Sequence, residues 1–332
     1  MHAVTITAPG GPEQLTWREV PTPVPAPDEV LVRVAAAGVN RADLMQRQGH
    51  YPPPPGAPEW PGLEVSGVVE ALGSEVAGWQ VGQRVAALVD GGGYATHAAV
   101  PATQLFTVPS GMGLVEAAAL PEAVCTVWSN LVGAAHLTAG QTVLVHGGAG
   151  GVGTVAVQVA VALGARVLVT AGSQERVDAC VALGAEAGFV YRTTDGSSFT
   201  EALPGLVREQ TDGHGADVIL DVVGAAYLDA NLRSLATGGR LVVIGMQKGT
   251  RAELDLGRLL TQRASVVGTT LRARPRSEKA AIVAAVREHV WPMLEDGRLR
   301  PVVHAEVPMH DASRAHELMD SGAVLGKVLL VT

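Results

Sequence analysis

Aromatic side chains are scarce in this chain: three Phe, four Tyr and five Trp among 332 residues. The core must therefore be assembled from Ala, Val and Leu, and an apolar fraction of 47% against 17% charged residues fits a well-packed globular chain of two domains. Cysteine is scarcer still. Cys125 and Cys180 stand far apart with no C-x-x-C spacing, which excludes a disulfide framework and a cysteine-rich zinc site and leaves two reduced, structural thiols. Basic runs are missing as well. With 24 Lys and Arg against 32 Asp and Glu the net charge is −8, so no footprint for a phosphate polymer is present and nucleic acid is not an expected partner. The apolar stretches are broken by Gly, Thr or His before membrane-spanning length, and the N-terminal "MHAVTITAPGGPEQL" lacks a basic start followed by an apolar core. No membrane partner is expected, and the expected location is the cytoplasm.

What is present divides in two. Over the first 110 residues, short alternating runs such as "EVLVRVAAAGV" and "QRVAALV" are separated by Pro- and Gly-rich turns, which predicts a β-rich, barrel-like unit. From about residue 113 the pattern "LVEAAALPEAVCTVWSNLVGAA" predicts two helices with a break at Pro121. Beyond it, "TVLVHGG", "ARVLVTAG", "AGFVY", "DVILDVVG", "GRLVVIG" and "ASVVGTT" are near-continuous apolar strands, most of them separated by helical segments. Strands of that kind are buried on both faces, so a parallel sheet flanked by helices is expected. A helix, a strand, a helix and a last strand close the chain from about Ser277, and no internal repeat is found.

Five glycines crowd the stretch "LVHGGAGGVG". Gly148, Gly150 and Gly153 fit G-x-G-x-x-G between the strand "TVLVH" and a helical run ending at Gly164, and Ala149, Gly151 and Val152 complete the loop. Such a loop lets a pyrophosphate sit against open amides at a helix N-terminus; the alternative is a flexible turn that binds nothing. The acid that holds the ribose of NAD, about 20 residues on, is absent. The second strand runs instead into Gly172, Ser173, Gln174, Glu175 and Arg176. A hydroxyl and a guanidinium there suit a 2′-phosphate and so NADP(H). Against that reading, Ser173 would merely cap a helix and Arg176 would be a solvated charge.

Three stretches carry a resemblance: "NRADLMQRQGHYPPPPG" (residues 40–56), "PGLEVSGVVEALG" (residues 61–73) and "VLVHGGAGGVGTVAVQ" (residues 143–158). Together they are similar to the zinc-free quinone oxidoreductases of the medium-chain dehydrogenase/reductase superfamily, the zeta-crystallin relatives. The first stretch and "TAGSQERV" look most like the tumour-suppressor-inducible branch. The resemblance implies an α/β chain with a GroES-like catalytic domain over residues 1–123, completed by 271–332, and a doubly wound Rossmann domain binding NADP(H) over residues 124–270. It also implies a nicotinamide held in the cleft between the domains, and homodimers formed by joining the edges of two nucleotide-binding sheets. Asn40, Asp43 and Tyr51 are expected near the nicotinamide or substrate, Thr126 beside the nicotinamide, Tyr191 near the adenosine, Gly245 in the cofactor set and Lys327 facing the cofactor. Each has a structural alternative: Asn40 as a helix cap, Asp43 as support for that helix's first turn, and Tyr51 packed on the proline run.

The zinc ligands of the related alcohol dehydrogenases are missing. Asn40 stands where they carry Cys, Leu63 where they carry His, and Glu122 where a further Cys falls, with Cys125 three residues out of register. The structural zinc loop is absent, and histidines such as His50, His97, His136, His146 and His214 form no H-x-x-x-H pair on a predicted helix. No metal is expected. The expected activity is NADPH-dependent reduction of quinones or related electron-poor conjugated carbonyls. The alternatives are a 2-alkenal or enoyl-thioester reductase and an NADPH-binding structural or sensing protein.

Overall fold

Val- and Ala-rich runs between glycine and proline turns set the first part of the chain as strands. The hairpin β1 (His2–Ile6) and β2 (Leu15–Glu19) precedes β3 (Glu29–Gly38), β4 (Glu64–Leu72), β5 (Arg84–Leu88), β6 (His97–Pro101) and β7 (Leu105–Thr107). The long β3 organises this unit: it pairs along one side with β4, and along the other with β6 over residues 29–33. Val30, Val32, Val34, Val65, Val69, Val85 and Val100 fill the space behind it, all of them buried. Between β3 and β4 a short helix, Arg41–Arg47, starts at Asn40.

The computed structural model describes residues 1–192 and 198–332, which fall into two compact units, residues 1–125 with 271–332 and residues 126–270. Near the change of unit the helical stretch departs from the two plain helices read in the sequence. A single turn, Leu114–Ala117, is followed by a helix opened by Pro121 (Pro121–Val127), and the chain then widens into a π-helical segment, Trp128–Ala134. The Ala135 amide reaches back five residues to the Asn130 carbonyl at 2.8 Å. Such wide turns are rare and concentrate at functional sites.

Among its described residues the second unit holds six parallel strands: β8 (Thr142–His146), β9 (Arg166–Ala171), β10 (Ala187–Val190), β11 (Ala216–Asp221), β12 (Leu235–Val243) and β13 (Ser265–Gly268). Their order is β10-β9-β8-β11-β12-β13, the doubly wound arrangement, with the direction of winding reversing between β8 and β11. All five residues of β8 are buried, and the helix Gly151–Ala162 that follows is Val- and Ala-rich and buried from Gly153 to Ala160. The expectation of burial on both faces fails at β13. Ser265, Val266 and Gly268 are exposed, because β13 is the last strand and has a single neighbour, β12.

The chain then returns to the first unit with the helix Arg276–His289, β14 (Val303–Pro308), the helix Ala312–Asp320 and β15 (Lys327–Val331). β15 pairs with residues 36–38 of β3 and so sits in line with β6 on the same edge. Both cysteines are free and buried. Among the described residues no helix is long and apolar enough to cross a membrane.

Candidate functional site

In the second unit, the crevice at the carboxyl ends of β8 and β11 is where the topology admits a ligand. Immediately after β8, Gly147 turns the chain at φ 67°. The three fingerprint glycines then separate by cause. A β-carbon at Gly148 would lie 2.7 Å from Val169 Cγ1, and one at Gly153 would run into the Gly147 carbonyl oxygen, so the fold itself requires both. Gly150 is different. Its backbone is extended, φ −80° and ψ 173°, and a β-carbon there would meet nothing nearer than the Gly147 oxygen at 3.4 Å. Neither strain nor packing asks for glycine at this position; what it keeps clear is the space in front of the loop. No side chain caps the helix that begins at Gly151, which leaves the first-turn amides of Gly151, Val152 and Gly153 without a helical acceptor and suited to an anion.

At the end of β9 a second group gathers. Ser173 holds the N-cap position of the helix Gln174–Ala182, yet its hydroxyl makes no capping bond. Arg176 is partly buried, and no carboxylate among the described residues pairs with it. A β-carbon on Gly172 would lie 3.1 Å from the Tyr191 hydroxyl and 3.5 Å from Arg176 Nη1, so both groups converge over that glycine. An aromatic row that sequence reading missed continues from Tyr191 to Phe199, Tyr227 and His146, with centroid spacings of 6.4, 5.9 and 5.1 Å. Burial lowers the His146 imidazole to about 4, partly offset by its bond to Asn231.

Across the crevice, Asp221 ends β11 with 1% of its surface exposed and accepts the amides of Val223 at 2.6 Å and Gly224 at 3.1 Å. Burial raises this carboxyl to about 6 against the pull of those amides. An acid closing an apolar strand in "DVILDVVG" was the signal for it. Gly245 lies against the Val222 backbone, where a β-carbon would come within 2.9 Å of the Val222 oxygen, so it shapes the same turn. Thr126 lies at the start of this unit, partly buried, and its carbonyl accepts Asn130 Nδ2 at 2.7 Å.

In the first unit, a buried polar cluster surrounds Asn40. Its Nδ2 donates to Glu64 Oε1 at 2.9 Å, and its Oδ1 accepts from Lys327 Nζ at 2.7 Å. The Lys327 ammonium also forms an ion pair with Glu64 Oε1, while Glu64 Oε2 accepts the Glu122 amide at 3.0 Å. Lys327, expected to face a cofactor, is 4% exposed and spends its charge inside this cluster.

Asp43 is wholly buried and takes the bracing role. Its Oδ2 accepts from the Asn40 amide at 2.8 Å and from the Tyr94 hydroxyl at 3.2 Å, and its Oδ1 from the Gly62 amide at 2.9 Å. The network runs on through His316 to Arg47 at 3.2 Å per step, and Arg47 meets Asp320 at 3.1 Å. Burial raises Asp43 to about 6 despite the Asn40 and Gly62 amides. Glu64, Tyr94, His316 and Arg47 escaped sequence reading, although Glu64 stands in "GLE" beside the lost zinc ligand.

The Arg272 guanidinium stacks over the Tyr51 ring, its Cζ 5.2 Å from the ring centroid. Arg272 also bonds the Asp90 carbonyl at 2.7 Å and Gln46 Oε1 at 2.9 Å, so it ties the Tyr51 loop to the helix Arg41–Arg47. Burial, and next the neighbouring Glu64, raise the Glu122 carboxyl to about 8. Among the described residues, no three His, Cys, Asp or Glu side chains stand together so as to hold a metal ion.

Comparison with known proteins places both units. Residues 26–110 match the model of the alcohol dehydrogenase GroES-like domain, and residues 151–287 that of zinc-binding dehydrogenases. The quinone oxidoreductase of Lama guanicoe is 33% identical over 100% of this chain and 97% of its own length. The structure of Escherichia coli quinone oxidoreductase complexed with NADPH superposes with a TM-score of 0.87 at 28% identity, covering 100% of both chains. That of the CurK enoyl reductase gives 0.85 at 26% identity, over 99% of this chain and 98% of its own. With the GroES-like and Rossmann units in place and a full-length relative above 30% identity, the chain belongs to the quinone oxidoreductase family of the medium-chain dehydrogenase/reductase superfamily.

Proposed function

We propose that this oxidoreductase binds NADPH in its second unit and reduces quinones, or closely related conjugated carbonyls, without zinc. The observation that carries the reading is the space left at Gly150. A cradle that neither backbone strain nor packing requires, set before uncapped helix amides, fits a pyrophosphate. Ser173, Arg176 and Tyr191 fit the adenosine end: a hydroxyl unspent on capping, a guanidinium with no carboxylate partner among the described residues and a phenol converge around Gly172. Charge-assisted bonds from Arg176 would favour a 2′-phosphate over a bare ribose.

NADPH supplies the hydride. The chain's own residues bind the acceptor and manage charge. A quinone spreads the incoming charge over its ring as a weakly basic phenolate, so a neutral donor such as the Tyr51 hydroxyl suffices where a simple ketone calls for a Lewis acid. The donor set does not fit zinc. Leu63 offers no ligand, the Asn40 amide is bonded at both ends, and the Lys327 ammonium occupies Glu64, which would set a cation against a cation. The side-by-side test is turnover of a quinone and a 2-alkenal with NADPH. A higher kcat/KM for the quinone supports the reading; a preference for the enal transfers the chain to the enoyl reductases that share its fold.

The unpartnered edge of β13 belongs to the same reading. Val266 on that strand is 37% exposed, and Leu256 and Leu260 of the neighbouring helix are 63% and 78% exposed. A second copy of the chain, pairing edge to edge, would satisfy the open backbone groups and cover these side chains. Sedimentation should give the mass of a dimer, and a monomer at working concentration contradicts it.

A further inference from the structure

We propose that Glu122 is the general acid that protonates the reduced acceptor, a role that rests on the quinone-reductase reading above. Most ionisable groups around Asn40 are already committed to partners inside the protein. Glu64 has both carboxylate oxygens occupied, one by Lys327 and Asn40 and the other by the Glu122 amide. Lys327 is spent on Asn40 and Glu64. Asp43 accepts three hydrogen bonds and is sealed from solvent. Of these groups, the Glu122 side chain alone makes no hydrogen bond and no ion pair among the described residues, although its backbone amide is pinned to Glu64 at 3.0 Å. The residue is partly exposed at the start of the helix Pro121–Val127. An anchored backbone with an uncommitted carboxyl is what a proton carrier needs: fixed position, and an oxygen free to meet a ligand.

Electrostatics supply the proton. Glu64 from β4 and Asp43 from the helix Arg41–Arg47 oppose ionisation of Glu122, Lys327 from β15 and Arg272 favour it, and Cys125 follows one turn along the same helix. Burial and Glu64 outweigh the cations, and the carboxyl is held near 8, so it is protonated at neutral pH and able to give that proton up. The step balances simply. Hydride from NADPH and the acceptor quinone yield a hydroquinone monoanion and NADP⁺; the O–H bond of the Glu122 carboxyl breaks, an O–H bond forms on the phenolate oxygen, and water reprotonates the carboxylate. The position that carries a zinc-binding Cys in the metal-dependent relatives would thus hold a Brønsted acid in place of a Lewis acid.

The test uses the full chain and the substitutions Glu122→Gln and Glu122→Asp. In wild type, quinone turnover should fall as pH rises through about 8, the direction required of an acid that must be protonated. Glu122→Gln should lower kcat about 10²-fold and flatten that pH profile, while NADPH affinity by fluorescence titration stays within about twofold of wild type. Glu122→Asp should recover part of the rate and restore a pH-dependent limb. Infrared difference spectra of the resting protein give a readout independent of turnover: a protonated carboxyl band that titrates near pH 8 in wild type and is missing from Glu122→Gln. Wild-type rate and an unchanged pH profile in Glu122→Gln overturn the assignment, as does absence of the infrared band. Failure of wild type to turn over any quinone would instead overturn the parent reading, with the infrared titration still reporting the acid.

Discussion

Lys327 and Glu64 form an ion pair in which the lysine side chain is 5% exposed and the glutamate not at all. Two charges removed this far from water are held by each other and by Asn40. Removing one partner strands the other, which costs about 3–5 kcal/mol, whereas replacing both can be nearly neutral. Lys327→Met and Glu64→Gln should each lower the urea midpoint strongly, and the double variant should regain most of the loss. Simple additivity of the two losses would contradict the pairing.

The glycine loop offers a contrast between two neighbouring positions. Gly153→Ala places a methyl group against the Gly147 carbonyl and should disturb the fold, lowering the denaturation midpoint with or without cofactor. A β-carbon at Gly150 meets no such obstacle, so the circular dichroism of Gly150→Val should match wild type while fluorescence titration detects no NADPH binding. Retained affinity in Gly150→Val would make the loop a turn and nothing more.

Arg176→Ala should weaken NADPH and spare NADH. Each lost hydrogen bond to a charged group is worth about 1.5–3 kcal/mol, or roughly 10- to 150-fold in affinity. Equal losses for both nucleotides would remove Arg176 from the 2′-phosphate site.

Burial, and next the charges of Arg47 and Arg41, push the His316 imidazole down to about 3 from an ordinary 6.5. Between those values the unfolded chain binds a proton that the folded chain refuses. Stability from this group is therefore full above pH 6.5 and is lost as pH falls, by up to about 1.4 kcal/mol per pH unit. Asp43 in the same network works in the opposite sense, since its raised carboxyl holds a proton in the folded state between pH 6 and 3.8. His316→Gln should make the acid limb shallower in urea midpoints taken from pH 7 to 4.5. An unchanged slope would exclude His316 as its source.

Local patterns made the fold legible. Apolar runs such as "TVLVH" and "DVILDVVG" gave β8 and β11, and the glycine loop gave the start of the helix Gly151–Ala162. β13 was misread as buried because apolarity alone does not reveal whether a strand has one neighbour or two. The site was legible where one short stretch carries it, as at Gly150, Ser173 and Arg176. Lys327 and Glu64, however, are 263 residues apart, and Tyr94 and His316 are 222 apart. The pairings of β15 with β3 and of β3 with β4 bring Lys327 to Glu64, the helix Ala312–Asp320 carries His316 to Tyr94, and no periodicity records either. The role of Asp43 turned on burial, which makes a brace of a carboxylate that could otherwise have met substrate.

The most direct test of the account is steady-state oxidation of NADPH by a quinone, measured on protein stripped of metal and kept in chelator. Quinone-dependent turnover should equal that of the untreated protein, with little or no oxidation of a simple alcohol. No turnover after stripping, restored by stoichiometric zinc, would contradict it.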